Sequence, residues 1–288
     1  MSSFRRNPFG RDREGTERNI AGYKVATILS FLLNLTFTIM YTANAPANAH
    51  GHKHWNHTIY GLRDHDYTAF SPSYVFVSIY WVTLFILQIG YIWHLFSDNA
   101  VYVKQAAAVG SHFILFNLLQ FAWVHLWTRS HWWFSELMLA INWINLVSLY
   151  LRHSNTPRWV HLPAVALPLV WVEFALFWNG AVMVHCSSLA CRILANVGIW
   201  NFLVFAAFFL LVFKDYQVGF ATSFLMAGLG VGQFATKTFA LQWIFAFTIM
   251  AVVFLGSLLV AVPTIFGNEE RTEATAGDRE RAPLLQDA

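Results

Sequence analysis

The sequence predicts an all-α membrane protein, a polytopic bundle of about eight transmembrane helices. Of the 288 residues, 57% are hydrophobic and only 11% are charged, whereas a soluble domain carries about 25% charged residues. Aromatic residues make up 17% of the chain and include 13 Trp, a residue type enriched where a bilayer meets water. Apolar stretches of about 20 residues, the length that crosses a bilayer core, recur along the chain. Most of the chain is therefore expected to lie in lipid.

Short polar breaks separate these stretches, so that the spans can be taken in chain order. The predicted spans are 23–43, 74–96, 105–127, 133–151, 160–184, 193–213, 217–235 and 239–262. The seventh span is diluted by glycine, which membrane helices tolerate. Gly228 and Gly232 in it form a small-xxx-small pair, and such a pair predicts the close approach of another helix.

The distribution of basic residues predicts that both termini lie in the cytosol. With eight spans, thirteen of the 18 Lys and Arg residues fall on the side of the N-terminus, as expected for cytosolic segments. Residues 1–22 then form a basic cytosolic segment, 23–266 form the bundle, and 44–73 form a luminal loop. The polar tail 267–288 is predicted to be cytosolic and disordered.

Three features of the predicted luminal side suggest chemistry. Asn56 begins an Asn-His-Thr sequon and is a glycosylation candidate. Cys186 and Cys191 could form a disulfide in an oxidising lumen, and the alternative is two unpaired thiols. Five histidines lie in the luminal loop and could bind zinc or copper, but their pattern fits no closed structural site. We therefore predict no metal site. The loop histidines are His50, His52, His54, His57 and His65.

Glu173 is the acidic residue that the sequence places deepest in the membrane. It lies near the middle of the fifth predicted span, and a charged side chain at that depth costs at least about 2.5 kcal/mol. It should therefore face the bundle interior. One interpretation is a proton or cation site, or an anchor for a ligand. The other is a protonated carboxyl hydrogen-bonded to an Asn of a neighbouring helix.

Several functional classes have no support in the sequence. We find no nucleophile elbow, paired acid motif or metalloprotease motif, and we predict that the protein is not an enzyme. Two histidines of the third span, His112 and His125, do not share a face at 3.6 residues per turn, and we predict no haem or other cofactor. The basic residues are few and scattered, which is not the footprint of a nucleic-acid binder.

A motif in the tail predicts that the protein resides in an endolysosomal or vacuolar membrane. Glu280 lies four residues before the first Leu of the pair Leu284 and Leu285, a spacing that resembles the acidic dileucine signal read by coat adaptors in the cytosol. The N-terminal segment mixes acidic residues with its Arg residues, whereas mitochondrial transit peptides are poor in acids. We therefore expect insertion into the secretory pathway, with a coat adaptor as a possible partner.

Three motifs in the second, third and fifth spans resemble the translocator protein family, also called tryptophan-rich sensory proteins. The fifth span carries Trp171, Phe174, Ala175 and Asn179 at the spacing of the family's Trp-x-x-Phe-Ala-x-x-x-Asn helix. In the third span, Gln120-Phe121-Ala122-Trp123 is similar to its Asn-aromatic-Ala-Trp, with Gln in place of Asn. The second span begins with Pro72-Ser73-Tyr74-Val75-Phe76, similar to its Pro-x-aromatic-Val-Phe segment.

The resemblance implies a five-helix translocator-like core followed by three C-terminal helices. Longer Trp-rich relatives with extra C-terminal helices, fungal ones among them, look closer than the five-helix members. Members of the family bind porphyrins, sterols or drug-like ligands in a Trp-lined pocket. The ligand-binding residues expected here are Trp123, Trp171, Phe174 and Asn179, with Glu173 as a polar anchor if it faces inward. The protein would bind or carry a hydrophobic or amphipathic small molecule or lipid. The alternatives are a proton-coupled transporter centred on Glu173, and a structural or sorting protein without a ligand.

Overall fold

A computed structural model describes residues 17–47, 56–62, 67–152, 157–184, 188–236 and 241–281. These residues form helices joined by short connections, which confirms the predicted fold class of a polytopic helical bundle. The helices are α1 (Glu17–Ala43), α2 (Tyr74–His94), α3 (Ala100–Ala108), α4 (Gly110–Trp127), α5 (Trp132–Arg152), α6 (Arg158–His161), α7 (Leu167–Val184), α8 (Leu189–Gly198), α9 (Asn201–Val212), α10 (Tyr216–Thr236) and α11 (Gln242–Arg281).

Seven of the described helical segments are long and apolar enough to cross a membrane as single spans. The predicted third span is a bent pair instead, in which α3 and α4 meet at an angle of 49°. The count of eight holds when this pair is one span. The bend lies at Val109 and Gly110, and a glycine is a common cause of a sharp helix bend. α3 begins at the cap residue Asn99, whose side chain accepts a hydrogen bond from the Val101 amide.

Two helices form the centre of the bundle. The most apolar 18-residue stretches of 158–184 and of α10 are 78% and 67% buried, against 28–39% in the five other single spans. α10 lies against α2, α7, α9 and α11. A Cβ atom added to Gly228 would lie 2.7 Å from Cβ of Phe76 on α2, and one added to Gly232 would lie 2.6 Å from the backbone at Pro72 and Ser73. The predicted close packing at this glycine pair is confirmed.

Two prolines shape the start of the central span 158–184. A π-helical turn, Leu162–Ala166, connects α6 to α7. Pro168 has no amide hydrogen and cannot bond to a carbonyl in the preceding turn. The amide of Gln88 on α2 donates to the carbonyl of Pro163 at 3.4 Å, and the Tyr80 hydroxyl donates to the carbonyl of Leu167 at 2.7 Å. Side chains of a neighbouring helix thus satisfy backbone groups in this irregular turn, as membrane helices require.

The described parts of the loop between α1 and α2 lie across one end of the bundle, which we call the loop face. The amide of His57 donates to the carbonyl of Thr128 at 2.9 Å, and the amide of Ile59 donates to that of Tyr41 at 3.0 Å. The indole of Trp127 donates to the Ile59 carbonyl at 3.0 Å. These bonds tie the loop to the ends of α1 and α4. The opposite end carries the connection from α9 to α10 and is called the tail face.

The last helix continues beyond its apolar span, which ends at Pro263. α11 runs to Arg281, whereas the sequence analysis predicts a disordered tail from 267. Polar residues that follow an existing helix extend it without a new nucleation step, and Glu, Arg and Ala are good helix formers. Glu280 lies on this helix, but its side chain falls outside the described part of the structure, as do Leu284 and Leu285.

Candidate functional site

Three of the predicted ligand-binding residues meet in one aromatic core. This core consists of Tyr80, Trp81, Trp123, Trp171 and Phe174, from α2, α4 and α7. The Trp171 ring centroid lies 4.8 Å from that of Trp81, 5.9 Å from that of Trp123 and 6.3 Å from that of Phe174. All five side chains are buried. The second, third and fifth predicted spans therefore contribute to one interior, and their aromatic rings fill it by contact with one another.

Polar groups beside this core are left without partners among the described residues. Both amide atoms of Gln120 and the indole nitrogen of Trp171 are buried and accept or donate no hydrogen bond there. Asn142 on α5 donates at 3.4 Å to the carbonyl of Phe116, one turn before Gln120, and its own Oδ1 is also unpartnered. An unsatisfied buried polar group costs about 1–3 kcal/mol. These groups could bond to polar atoms of another molecule.

Asn179 is a link between three helices. Its Oδ1 accepts hydrogen bonds from Trp123 Nε1 at 3.2 Å and from Ser135 Oγ at 2.6 Å. Its Nδ2 donates to the Trp132 carbonyl at 3.1 Å and to Glu136 Oε2 at 2.9 Å. All of its amide capacity is thus used within the protein. Of the predicted site residues, Asn179 therefore holds α4, α5 and α7 together near the loop face.

Sequence reasoning missed Glu136, the second carboxyl group of this region. It lies close to the start of α5, where a polar residue is expected to reach water. The carboxyl instead turns along the helix interface towards Asn179 and lies over Gly180, where an added Cβ would be 3.3 Å from Glu136 Oε1. The sequence does hold one signal for this contact. A glycine, Gly180, directly follows Asn179 in one span and leaves room for a side chain such as that of Glu136 from the preceding span.

Glu173 does not join the aromatic core. Its side chain is 6% exposed and lies between α5 and α9. Trp143 Nε1 donates to its Oε2, and Asn201 Nδ2 donates to its Oε1, each at 2.6 Å. Trp171 precedes it by two residues, a rotation of about 200° around the helix. The expectation that Glu173 anchors a ligand of the Trp-lined core is therefore not met by the geometry, because the carboxyl lies on another side of α7.

A third acid lies at the tail face, where three elements meet. Asp215 Oδ2 accepts from Tyr150 Oη at 2.9 Å and lies 2.7 Å from His161 Nε2. Its Oδ1 accepts from the amides of Gln217 and Val218 at the start of α10. Burial raises the pKa of the Asp215 carboxyl. The hydrogen bond and the positive charge of His161 lower it, as do the hydrogen bonds from the Tyr150 hydroxyl and the Val218 amide, and together they bring the pKa below its usual value. The carboxylate thus caps α10 and connects it to α5 and α6.

The predicted loop-side features have mixed placements. The Asn56 amide donates to the carbonyls of Pro46 at 3.1 Å and Ala47 at 2.9 Å, so a glycan on this nitrogen would displace at least one of these bonds. Cys191 is disulfide-bonded, while Cys186 lies outside the described residues, and their pairing stays a prediction. Of the five loop histidines, His57 alone is described, stacked on Trp132 with ring centroids 5.3 Å apart.

Comparison with known proteins finds similarity in part of the chain. Residues 192–285 match a family described as "Fungal protein of unknown function (DUF1774)". This range contains Asn201 and Asp215 but none of the aromatic core. The chain is also 36% identical over 103 residues to "Uncharacterized protein C637.03" of Schizosaccharomyces pombe, a stretch that covers 36% of this chain and 36% of that protein's length. No solved structure matches the chain. The resemblance of the second to fifth predicted spans to translocator proteins stays a prediction.

Proposed function

We propose that this multi-pass membrane protein binds a hydrophobic or amphipathic small molecule against the aromatic core between α2, α4 and α7. The single observation that carries the proposal is a pair of unpartnered polar groups at this core, the side-chain amide of Gln120 and the indole N–H of Trp171. Gln120 lies one turn before Trp123 on α4, and the Trp123 ring centroid is 5.9 Å from that of Trp171. Binding sites for small molecules are mostly apolar and use a few placed polar groups for orientation. These two side chains would supply such groups, while Trp123 and Phe174 would supply apolar contact.

The chemistry of the two groups restricts the ligand. An amide both donates and accepts, and an indole N–H donates only. A neutral molecule with a carbonyl or hydroxyl group on an apolar frame would satisfy them. Because the aromatic rings contact one another, such a ligand would enter by displacing side chains. The resemblance to translocator proteins points in the same direction.

The test compares the small molecules that co-purify with the full chain and with two variants. Gln120→Leu removes the unpartnered amide at nearly constant size. Gln242→Leu is the matched control, because Gln242 is a buried glutamine of α11 with one unpartnered amide atom. Mass spectrometry of solvent extracts should show a compound that is retained by wild type and Gln242→Leu and depleted at least about tenfold in Gln120→Leu, the effect of roughly 1.4 kcal/mol.

Two outcomes would count against the proposal. Identical extracts from wild type and Gln120→Leu would favour the structural or sorting alternative, in which the core has no ligand. A rise in stability of Gln120→Leu without any lost compound would mean that the amide is an unsatisfied group of a packed interior. A third alternative, a proton-coupled transporter centred on Glu173, predicts proton flux that Glu173→Gln abolishes and Gln120→Leu leaves unchanged.

We also propose that the protein resides in an endolysosomal or vacuolar membrane and is captured by a coat adaptor through Glu280, Leu284 and Leu285. An adaptor can bind the tail only if the tail lies in the cytosol, and the excess of Lys and Arg on the side of the N-terminus supports a cytosolic tail. Fluorescence microscopy of a tagged chain beside Leu284→Ala/Leu285→Ala would test it. The double variant should leave the compartment, and residence of both chains in one compartment would contradict the sorting role.

A further inference from the structure

A carboxyl group in the middle of the bundle has hydrogen bonds but no basic partner. Glu173 lies near the centre of the span 158–184, and both of its oxygens accept a hydrogen bond, from Trp143 and from Asn201. The partner atoms, an indole N–H and an amide Nδ2, both donate to the carboxyl group. This arrangement satisfies the ionised carboxylate. In the described spans, Lys and Arg occur near the ends and none lies at the depth of Glu173.

A negative charge at this depth requires a compensating cation. Ionisable residues inside a membrane are paired with an opposite charge or line a pathway. Since the described part of the chain supplies no basic side chain near Glu173, an ionised carboxylate here would take its positive charge from a bound molecule. The two donors hold the carboxylate in one orientation and occupy one lone pair on each oxygen, so that acceptor positions remain for a further donor.

The outer edge of this site, at Asn201, faces the lipid, whereas Glu173 itself is buried. Trp143 on α5 is half-buried and Asn201 on α9 is exposed. Nearby residues of the two helices, Ile144 on α5 and Val204 on α9, are 64% and 67% exposed. An amide at the centre of the span 189–212 therefore faces the hydrocarbon region of the bilayer. A hydrated metal ion would have to lose its water to enter from that direction. A lipophilic amine can instead cross the hydrocarbon region as the neutral base and take up a proton from the carboxylic acid of Glu173, which leaves an ammonium group paired with a carboxylate.

We propose that Glu173, Trp143 and Asn201 form a bilayer-facing binding site for the ammonium group of a lipophilic amine. The ammonium donates to the carboxylate and pairs with its charge, and the apolar chain of the ligand lies along the exposed aliphatic residues of α5 and α9. This site is independent of the function proposed above, because it lies on a different side of α7 and takes a cationic ligand.

The test measures binding of radiolabelled dodecylamine to the full chain in phosphatidylcholine nanodiscs. Unlabelled dodecanol, which has the same chain and no charge, is the competitor that separates charge recognition from apolar binding. Glu173→Gln keeps the size and one oxygen of the side chain. Glu136→Gln is the matched control, since Glu136 is an acid of the same α5–α7 interface that bonds to Asn179 and has no part in the proposed site.

Wild type and Glu136→Gln should bind dodecylamine saturably, and dodecanol should not compete. The dissociation constant of Glu173→Gln should be at least about tenfold higher, as expected from loss of a charge-assisted hydrogen bond. Equal binding by Glu173→Gln, or equal competition by dodecanol, would overturn the proposal. So would a change in oligomeric state of Glu173→Gln without a change in amine binding, because the carboxylate would then face a second copy of the chain. If Glu173→Gln does not fold, the comparison of the two ligands on wild type still decides.

Discussion

Substitution of Gly232 by alanine should destabilise the protein, although alanine is the better helix former. The added Cβ would lie 2.6 Å from the carbonyl carbon of Pro72 and from the amide nitrogen of Ser73. These are backbone atoms, and ordinary contact needs about 0.8 Å more separation. The same segment is fastened to α10 by Gln233, which donates to the carbonyls of Thr68 at 2.8 Å and Ser71 at 3.0 Å. A shift of the segment would therefore strain hydrogen bonds as well as packing.

The magnitude follows from three contributions. Overpacking of a tight interior costs roughly 1–3 kcal/mol, and weakening of one hydrogen bond from Gln233 costs about 1 kcal/mol. Replacing a helical glycine by alanine offsets about 1 kcal/mol. Gly232→Ala should thus lower the free energy of unfolding by roughly 1–3 kcal/mol.

Gly90→Ala provides the matched control, because a Cβ added to Gly90 on α2 meets no atom within 4 Å. It should be neutral or stabilise by up to about 1 kcal/mol. Reversible unfolding of both variants in mixed detergent micelles measures the difference. If Gly232→Ala is as stable as Gly90→Ala, the backbone at Pro72 and Ser73 does not lie as close to α10 as the structure has it, and the predicted overpacking is wrong.

Two further predictions concern the polar links. Because the pKa of Asp215 lies below its usual value, the carboxylate contributes stability above about pH 4, and this contribution is lost as the pH falls through its pKa in the folded protein. Asp215→Asn should therefore be less stable than wild type by about 1–3 kcal/mol at pH 7. Unfolding measured from pH 7 to pH 3 should show this difference in stability closing, and a constant difference would contradict the charge-based explanation. Asn179→Leu, which breaks four hydrogen bonds, should cost more stability than Asn34→Leu, which breaks the bond from Asn34 to Asn117 and the one from Thr38 to Asn34; equal losses measured by unfolding in detergent would show that the hydrogen-bond count does not set the cost.

The positions of the membrane spans could be predicted from the sequence, because insertion depends on the apolar composition of each local stretch. The bend at Gly110 was not predicted, since the apolar composition continues through it and the break depends on backbone conformation. The extension of α11 beyond 266 was missed for a related reason, because a polar composition does not distinguish a solvated helix from a disordered tail. The glycine pair of α10 was interpreted correctly as a packing surface, but its partners on α2 and in the preceding segment were not identifiable.

The candidate site divides in the same way. Hydropathy and helical spacing are local properties, and they were enough to predict that Glu173 lies deep in a span and that several Trp side chains share the membrane interior. The packing of the helices was needed to show that Glu173 bonds to Trp143 and Asn201. It was also needed to show that Asn179 is hydrogen-bonded to α4 and α5, and that Gln120 has no partner among the described residues. Partners such as Trp143 and Glu173 are 30 residues apart in the chain, and the rotation of each helix about its axis, which selects them, is set by packing of all its neighbours together.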